Sequence, residues 1–306
     1  MGLFMRIGVD LGGTKIEGMT LDDAGREGLR RRMPSPQGDY RATLQAIVEL
    51  VRALEGTARA RVGVAIPGSV SPTTGRIKNA NSTWLIGHAM ERDLSQALQR
   101  PVRLANDADC FALSEAADGA AAGAASVFGV IVGTGCGGGI VIGGRLLGGP
   151  NAIAGEWGHN TLPWLREEEW PGSACYCGKR GCIETWLSGP GLAADHLRAT
   201  GETLEPAMID ARARVGDPGC VDTLDRYMDR MARGLAGVIN VLDPEVIVLG
   251  GGVSNIRALY EGVPARWGRY VFSDRVDTRL VRAAHGDSSG VRGAAWLWPA
   301  LDPAAV

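Results

Sequence analysis

The chain has 306 residues, 45% of them hydrophobic and 22% charged, with a formal net charge of −2. That length suffices for two ordinary domains or one large one, and a chain this long buries about three quarters of its unfolded surface. The balanced, interspersed charge gives nucleic acid and anionic membranes no electrostatic foothold, and no apolar run is long enough to span a bilayer. The opening six residues lack the charged leader and apolar core of a signal peptide. Arg6 stands where a myristoylation pattern needs Ser or Thr, so a cytoplasmic protein is expected.

In chain order, residues 6–10 read as a buried strand, which Gly12, Gly13 and Thr14 turn back into a second strand over 15–21. A turn at 23–25 precedes a third strand near 29–33, where Arg30, Arg31 and Arg32 form the only tight basic run, at an exposed strand end. Within 37–55, Tyr40, Leu44, Ile47, Val48, Val51 and Leu54 follow the i, i+3, i+4 spacing of an amphipathic helix. A strand over 62–66 stops at Pro67-Gly68; a helix over 90–99, a short strand over 102–104 and a helix over 107–117 follow. The small-residue stretch 118–126 divides a small N-terminal α/β domain, 1–118, from a larger one, 119–288.

The second part opens as the first does, with a strand over 127–132, a glycine turn, a returning strand over 139–142 and a hairpin at Gly143-Gly144. This suggests a duplicated unit. The longest helix, 220–242, breaks at Asp243-Pro244 before a strand over 245–249. Val291, Ala294, Ala295, Leu297 and Trp298 predict a closing helix, about 289–306, that packs back on the first domain. An antiparallel opening followed by alternating helix and strand predicts an α/β fold with a helix-covered mixed sheet.

Three glycine turns each follow a strand: Gly12-Gly13-Thr14-Lys15 after Asp10, Gly133-Thr134-Gly135, and Gly250-Gly251-Gly252. Glycine lets backbone N–H groups converge on an anion, so two such turns suit the phosphates of a nucleotide and the third leaves room for adenine or ribose. None is a P-loop or a dinucleotide fingerprint. Any one alone reads as a hairpin; the three together, with an acid ending the first strand, point to ATP. Asp10 is the expected Mg²⁺ residue, acting through water.

Cys175, Cys177 and Cys182, with His159 sixteen positions before the first of them, supply one nitrogen and three sulfurs. That is a closed tetrahedral Zn²⁺ set, structural rather than reactive; the alternatives are ordinary thiols, or a disulfide with a spare. Glu156 and Glu184 flank these residues, and a metal would draw the two carboxylates together. The zinc-binding loop is set at 155–184. Asn106-Asp107 lies where a strand gives way to a helix. An Asp there is commonly an N-cap, and alternatively a general base for an attacking hydroxyl. Asn79 and Asn81 are loop amides suited to clamping hydroxyls.

D-L-G-G-T-K at 10–15, G-T-G-C-G-G-G at 133–139, E-x-G-H at 156–159 and C-x-C-G-x-x-G-C-x-E at 175–184 span almost the whole chain. On these motifs the chain resembles the ROK group of bacterial sugar kinases, within the two-domain actin/hexokinase-like (ribonuclease H-like) ATPase fold. N-A-N-S-T-W-L, L-A-N-D-A and the H-G-D-S-S-G-V-R-G stretch look closest to fructokinases that also accept mannose. The resemblance implies that Asp107 is the catalytic base and that Asn81, Asn106, Asp107 itself, Glu156, His159 and Glu184 bind sugar. It implies that His159, Cys175, Cys177 and Cys182 bind zinc. It gives Asp10, Gly12, Gly13, Thr14, Lys15, Thr134 and Gly135 to the phosphates and Gly251 and Gly252 to adenosine. The segment 165–174 is longer than in the group's glucokinases.

The expected activity is transfer of the ATP γ-phosphoryl group to the primary 6-hydroxyl of a free hexose, fructose first and mannose also, by a homodimer whose domains close on the substrates. A kinase of N-acetylglucosamine or glucose is the runner-up. A sugar-sensing transcriptional regulator of the same group carries a winged helix before the first glycine turn. With that turn beginning at Asp10, the sequence leaves no room for one. An Hsp70-like chaperone ATPase leaves the cysteine loop unexplained.

Overall fold

The computed structural model describes residues 5–56 and 59–299; the expected closing helix beyond 299 lies outside the described residues. β1 (Arg6–Leu11), β2 (Lys15–Leu21) and β3 (Glu27–Pro34) form an antiparallel meander, followed by α1 (Tyr40–Glu55) and β4 (Arg61–Ile66). A small hairpin of β5 (Ser69–Val70) and β6 (Ile77–Lys78) precedes α2 (Met90–Leu98), β7 (Val102–Asn106) and α3 (Asp107–Ala117). β8 (Ser126–Val132), β9 (Cys136–Ile142) and β10 (Arg145–Leu146) follow, then α4 (Glu184–Leu187), α5 (Gly189–Thr200), α6 (Pro206–Arg214) and α7 (Pro218–Leu242). The chain closes with β11 (Val246–Gly250), α8 (Leu259–Gly262), α9 (Pro264–Trp267), β12 (Arg279–Arg282) and α10 (Ser289–Trp296).

Two five-stranded sheets have the same plan. The first runs β3-β2-β1-β4-β7 and the second β10-β9-β8-β11-β12, each with parallel strands after its opening hairpin. The repeated strand–turn–strand pattern in the sequence therefore corresponds to a repeated topology.

The chain divides into two compact units. One comprises the chain through Gly123, Gly139–Ala154 and the chain from Asp287 onward; the other comprises Ala124–Gly138 and Gly155–Gly286. The sequence reading drew the first boundary at Asp118, and two contacts explain why the chain stays with the first unit beyond it. The Asp118 carboxylate is held by Arg292 and by Trp296 Nε1 at 3.2 Å. The 139–154 hairpin, which the sequence assigned to the second domain, belongs to the first because Gly139 lies against α3. A Cβ there would stand 2.6 Å from the Ala108 carbonyl oxygen.

In the first unit, alternation puts Ile7, Val9 and Leu11 into a core with Val62 and Val64 of β4 and with Ile47, Leu50, Val51 and Leu54 of α1. The α1 helix starts at Tyr40 because the Asp39 carboxylate accepts from the Ala42 N–H. α10 returns to the other face of the sheet, where glycine permits backbone contact: a Cβ on Gly63 would fall 1.8 Å from the Ala294 carbonyl oxygen. In the second unit, β8 and β11 are buried along almost their whole length and α7 lays its apolar side inward. No helix among the described residues is long and apolar enough to cross a membrane.

Candidate active site

In the first unit the carboxyl ends of the parallel strands β1, β4 and β7 carry Asp10, the Pro67-Gly68 turn and Asn106-Asp107. Ligands of open α/β sheets gather at such strand ends. Asn106 is the N-cap of α3. Its side-chain oxygen accepts from the Ala108 N–H at 2.9 Å, and its amide nitrogen donates to the Gly68 carbonyl at 2.9 Å. The capping that the sequence allowed for Asp107 is thus done by its neighbour. Asp107 is the first residue of the helix, exposed, with one oxygen 2.8 Å from the Ala108 N–H.

Asp10 senses this acid. Burial, then the negative charges of Asp107 and Glu17, push its carboxyl up to about 7, against a smaller opposing effect of Lys15. The first glycine turn is closed by Gly12 N–H donating to the Lys15 carbonyl at 3.0 Å, and Gln37 donates to the Gly13 carbonyl at 2.8 Å. Gly13, Thr14 and Lys15 are exposed, and the Lys15 ammonium lies 3.8 Å from Glu17. Gly68, at φ 81°, packs its backbone on residues 78–80: a Cβ there would stand 2.4 Å from the Lys78 carbonyl oxygen. Exposed Asn79 and Asn81 flank buried Ala80 in that loop. Asn79 sits at φ 56°, a conformation asparagine tolerates better than most residues.

In the second unit the carboxyl ends of β8 and β11 carry the other two turns. Gly251, at φ 81°, lies directly on β8; a Cβ would stand 2.4 Å from the Val132 carbonyl oxygen, so the two turns share one edge of the sheet. Gly189 N–H donates to the Gly133 carbonyl at 2.7 Å, and Thr134 is exposed. The turn also touches one of the acids: the Cys136 N–H donates to Glu184 Oε2 at 3.0 Å, and a Cβ on Gly135 would stand 2.8 Å from that oxygen.

Glu156 and His159 sit on a turn pinned to β9. The Trp157 indole donates to the Gly137 carbonyl at 3.1 Å and meets Phe128 edge-on, with 5.7 Å between centroids. The four candidate ligand atoms of His159, Cys175, Cys177 and Cys182 all lie within 4.8 Å of one another. His159 Nδ1 is 3.6 Å from Cys175 Sγ, and Cys177 Sγ is 3.6 Å from Cys182 Sγ. A tetrahedron with metal–sulfur bonds of about 2.3 Å has edges of about 3.8 Å, so the spacing suits zinc. All six cysteines are free thiols, which removes the disulfide alternative. Burial and the neighbouring thiols push Cys182 up to about 12, a cost that a divalent cation at the centre removes by stabilising thiolates.

The sequence reading missed Tyr176, the residue between the first two cysteines. Its hydroxyl is 3.0 Å from His159 Nε2, and the rings meet edge-on at 5.1 Å. Burial, then Glu184, Cys175 and Glu156, push its phenol up to about 12. Both carboxylates therefore lie near one phenol. Position within C-Y-C was the only local signal; the side chain is largely exposed and reaches the site through His159.

A family model described as the ROK family matches residues 6–300. An N-acetyl-D-glucosamine kinase from Yersinia pseudotuberculosis is 38% identical over 299 residues, 96% of this chain and 98% of the relative. A ROK hexokinase from Thermus thermophilus has a similar structure, with a TM-score of 0.84 and 32% identity over 95% of this chain and 97% of that one. A ROK family glucokinase from Streptomyces griseus, solved with glucose and AMPPNP, gives 0.77 and 28% over 96% and 98%.

Proposed function

The chain belongs to the ROK family, and from that premise we propose that it is an ATP-dependent kinase acting on the primary hydroxyl of a free sugar, N-acetyl-D-glucosamine first. The fructose preference expected from the wording at 79–85 gains no support from the relatives above. The Yersinia protein, similar along nearly its whole length, is named for N-acetyl-D-glucosamine, and the two solved structures are a hexokinase and a glucokinase.

The observation that carries the reading is the division of labour between Asn106 and Asp107. Asn106 caps the helix, so the Asp107 carboxylate stands exposed at the strand end and is felt by Asp10. Burial, and then the charge of Asp107, disfavour ionisation of Asp10, which suits a site that receives Mg²⁺ and a nucleotide. In this reading Asp107 accepts the proton of the acceptor hydroxyl, a step that a positioned base accelerates by about 10²–10⁴-fold. The amides of Asn81 and Asn106, the carboxylates of Glu156 and Glu184 and the ring of His159 bind sugar hydroxyls. Turns at Gly12–Lys15 and Thr134–Gly135 cradle phosphates, and Gly251–Gly252 leaves room for adenosine. Mg²⁺, when bound, supplies charge neutralisation at the phosphates, and Asp10 would hold it through water. His159, Cys175, Cys177 and Cys182 would hold zinc as a closed structural site.

Coupled ADP release across N-acetylglucosamine, glucose, mannose and fructose tests the reading. The expected order places N-acetylglucosamine highest in kcat/KM. Fructose at the top would overturn the substrate assignment, and no sugar-dependent ADP release with any of the four would overturn the kinase assignment.

A further inference from the structure

The segment between His159 and Cys175 is anchored more heavily than a surface connection needs. Glu169, near its middle, is 3% exposed and sits between two buried arginines of α7. Its Oε1 accepts from Arg230 Nε at 2.8 Å and from Arg233 Nη2 at 2.7 Å. Its Oε2 accepts from Arg233 Nη1 at 2.7 Å and from the Arg166 N–H at 3.0 Å. Burial alone would raise the carboxyl, but the hydrogen bonds from Arg233, Arg166 and Arg230 outweigh it and bring it down to about 2. Arg233 also donates to the Trp164 carbonyl at 2.9 Å, and the Arg166 guanidinium pairs with Asp229 of α7 at 2.9 Å.

The same helix supports the acids. Gly234, one residue after Arg233, faces Trp157; a Cβ there would stand 3.1 Å from the indole. Tyr227, about two turns before, donates to the Leu187 carbonyl at 2.6 Å, at the end of the short helix that Glu184 begins. On the other side of Glu169 the chain returns to the cysteine knuckle, with the Gly181 N–H donating to the Ser173 carbonyl at 2.9 Å. One face of α7 therefore holds the Glu156 turn, the Glu184 helix and the segment joining the first and second candidate metal ligands.

We propose that Glu169, through Arg230 and Arg233, is a positioning residue for sugar and metal binding: it locks the 160–174 segment onto α7 so that Glu156, His159 and Cys175 keep one arrangement. This rests on the sugar-kinase reading, since Glu169 itself touches neither substrate nor metal ligand. A buried ion pair of this kind serves geometry more than stability. Replacing both partners with apolar side chains is often neutral, whereas removing one leaves a stranded charge.

Two variants test the proposal: Glu169→Gln, and, for use where that one does not fold, the double variant Glu169→Met with Arg233→Met, which removes one charge of each sign and leaves Arg230 its Asp195 partner at 2.7 Å and Asp229 its Arg166 partner at 2.9 Å. Each is assayed for sugar KM, ATP KM and kcat, and for the rate at which zinc-loaded protein releases its metal to a chromogenic chelator. The expected result is a rise of about tenfold or more in sugar KM with kcat and ATP KM within about twofold, and metal release faster by about tenfold or more. Folded variants with sugar KM and metal release within about twofold of the parent overturn the proposal, as does a loss shared equally by kcat and both KM values. A parent protein that phosphorylates no sugar refutes the kinase reading instead, and the chelator rates then decide on the clamp alone.

Discussion

Burial and the neighbouring Asp107 raise the Asp10 carboxyl, and this has a consequence for pH. Asp10 is raised from 3.8 to about 7, burial first and Asp107 next. A carboxyl raised on folding contributes stability that is fully present below about pH 4 and is lost as pH climbs through about 7. In the absence of Mg²⁺ the melting temperature of the parent should therefore fall between about pH 4 and 7 relative to Asp10→Asn, which has no proton to lose there. Binding Mg²⁺ near Asp10 requires the ionised form, so Mg²⁺ should stabilise the parent more at pH 8 than at pH 6. Parallel melting curves for parent and variant across that range, with and without Mg²⁺, would remove Asp10 from this role.

Among the elements, the cysteine knuckle and α7 both pack on the segments that carry Glu156 and Glu184. The knuckle is short and its backbone is knitted together: the Cys175 N–H donates to the Lys179 carbonyl at 2.9 Å, the Ile183 N–H to the Asn160 carbonyl at 2.8 Å, and Leu162 to Gly181 at 3.0 Å. These bonds fix the loop's path, but three thiols and an imidazole brought within 4.8 Å have no apolar reason to stay together. A structural metal makes that geometry part of the folding free energy. Stripping it with a strong chelator should lower the melting temperature and weaken sugar binding by about tenfold or more, while ATP affinity changes little; zinc should restore both. Scanning calorimetry and titration calorimetry on stripped and reloaded protein make the check. Unchanged melting and sugar affinity in metal-free protein would mean that the hydrogen bonds suffice.

At the scale of the molecule, the sequence made legible what local chemistry dictates. Buried runs such as Ile7–Leu11 and glycines after them gave strands and turns, and the repeated opening announced two sheets of one topology. The cysteine spacing announced the knuckle. What stayed hidden depends on contacts distant in sequence. The 139–154 hairpin joins the first unit through Gly139 on α3, and the cap of α3 falls to Asn106 because the Gly68 carbonyl orients its amide. Glu169 stands in a run of three glutamates, and nothing local reveals the two arginines some sixty residues away that bury it.

In the proposed phosphoryl transfer to a sugar, Asp107 takes the acceptor proton. Steady-state turnover of Asp107→Asn beside the parent, with N-acetylglucosamine and MgATP and with sugar affinity measured separately by titration calorimetry, tests it most directly. The expected result is kcat lower by about 10²–10⁴-fold with sugar affinity within a few-fold of the parent. Turnover within about tenfold of the parent would contradict it.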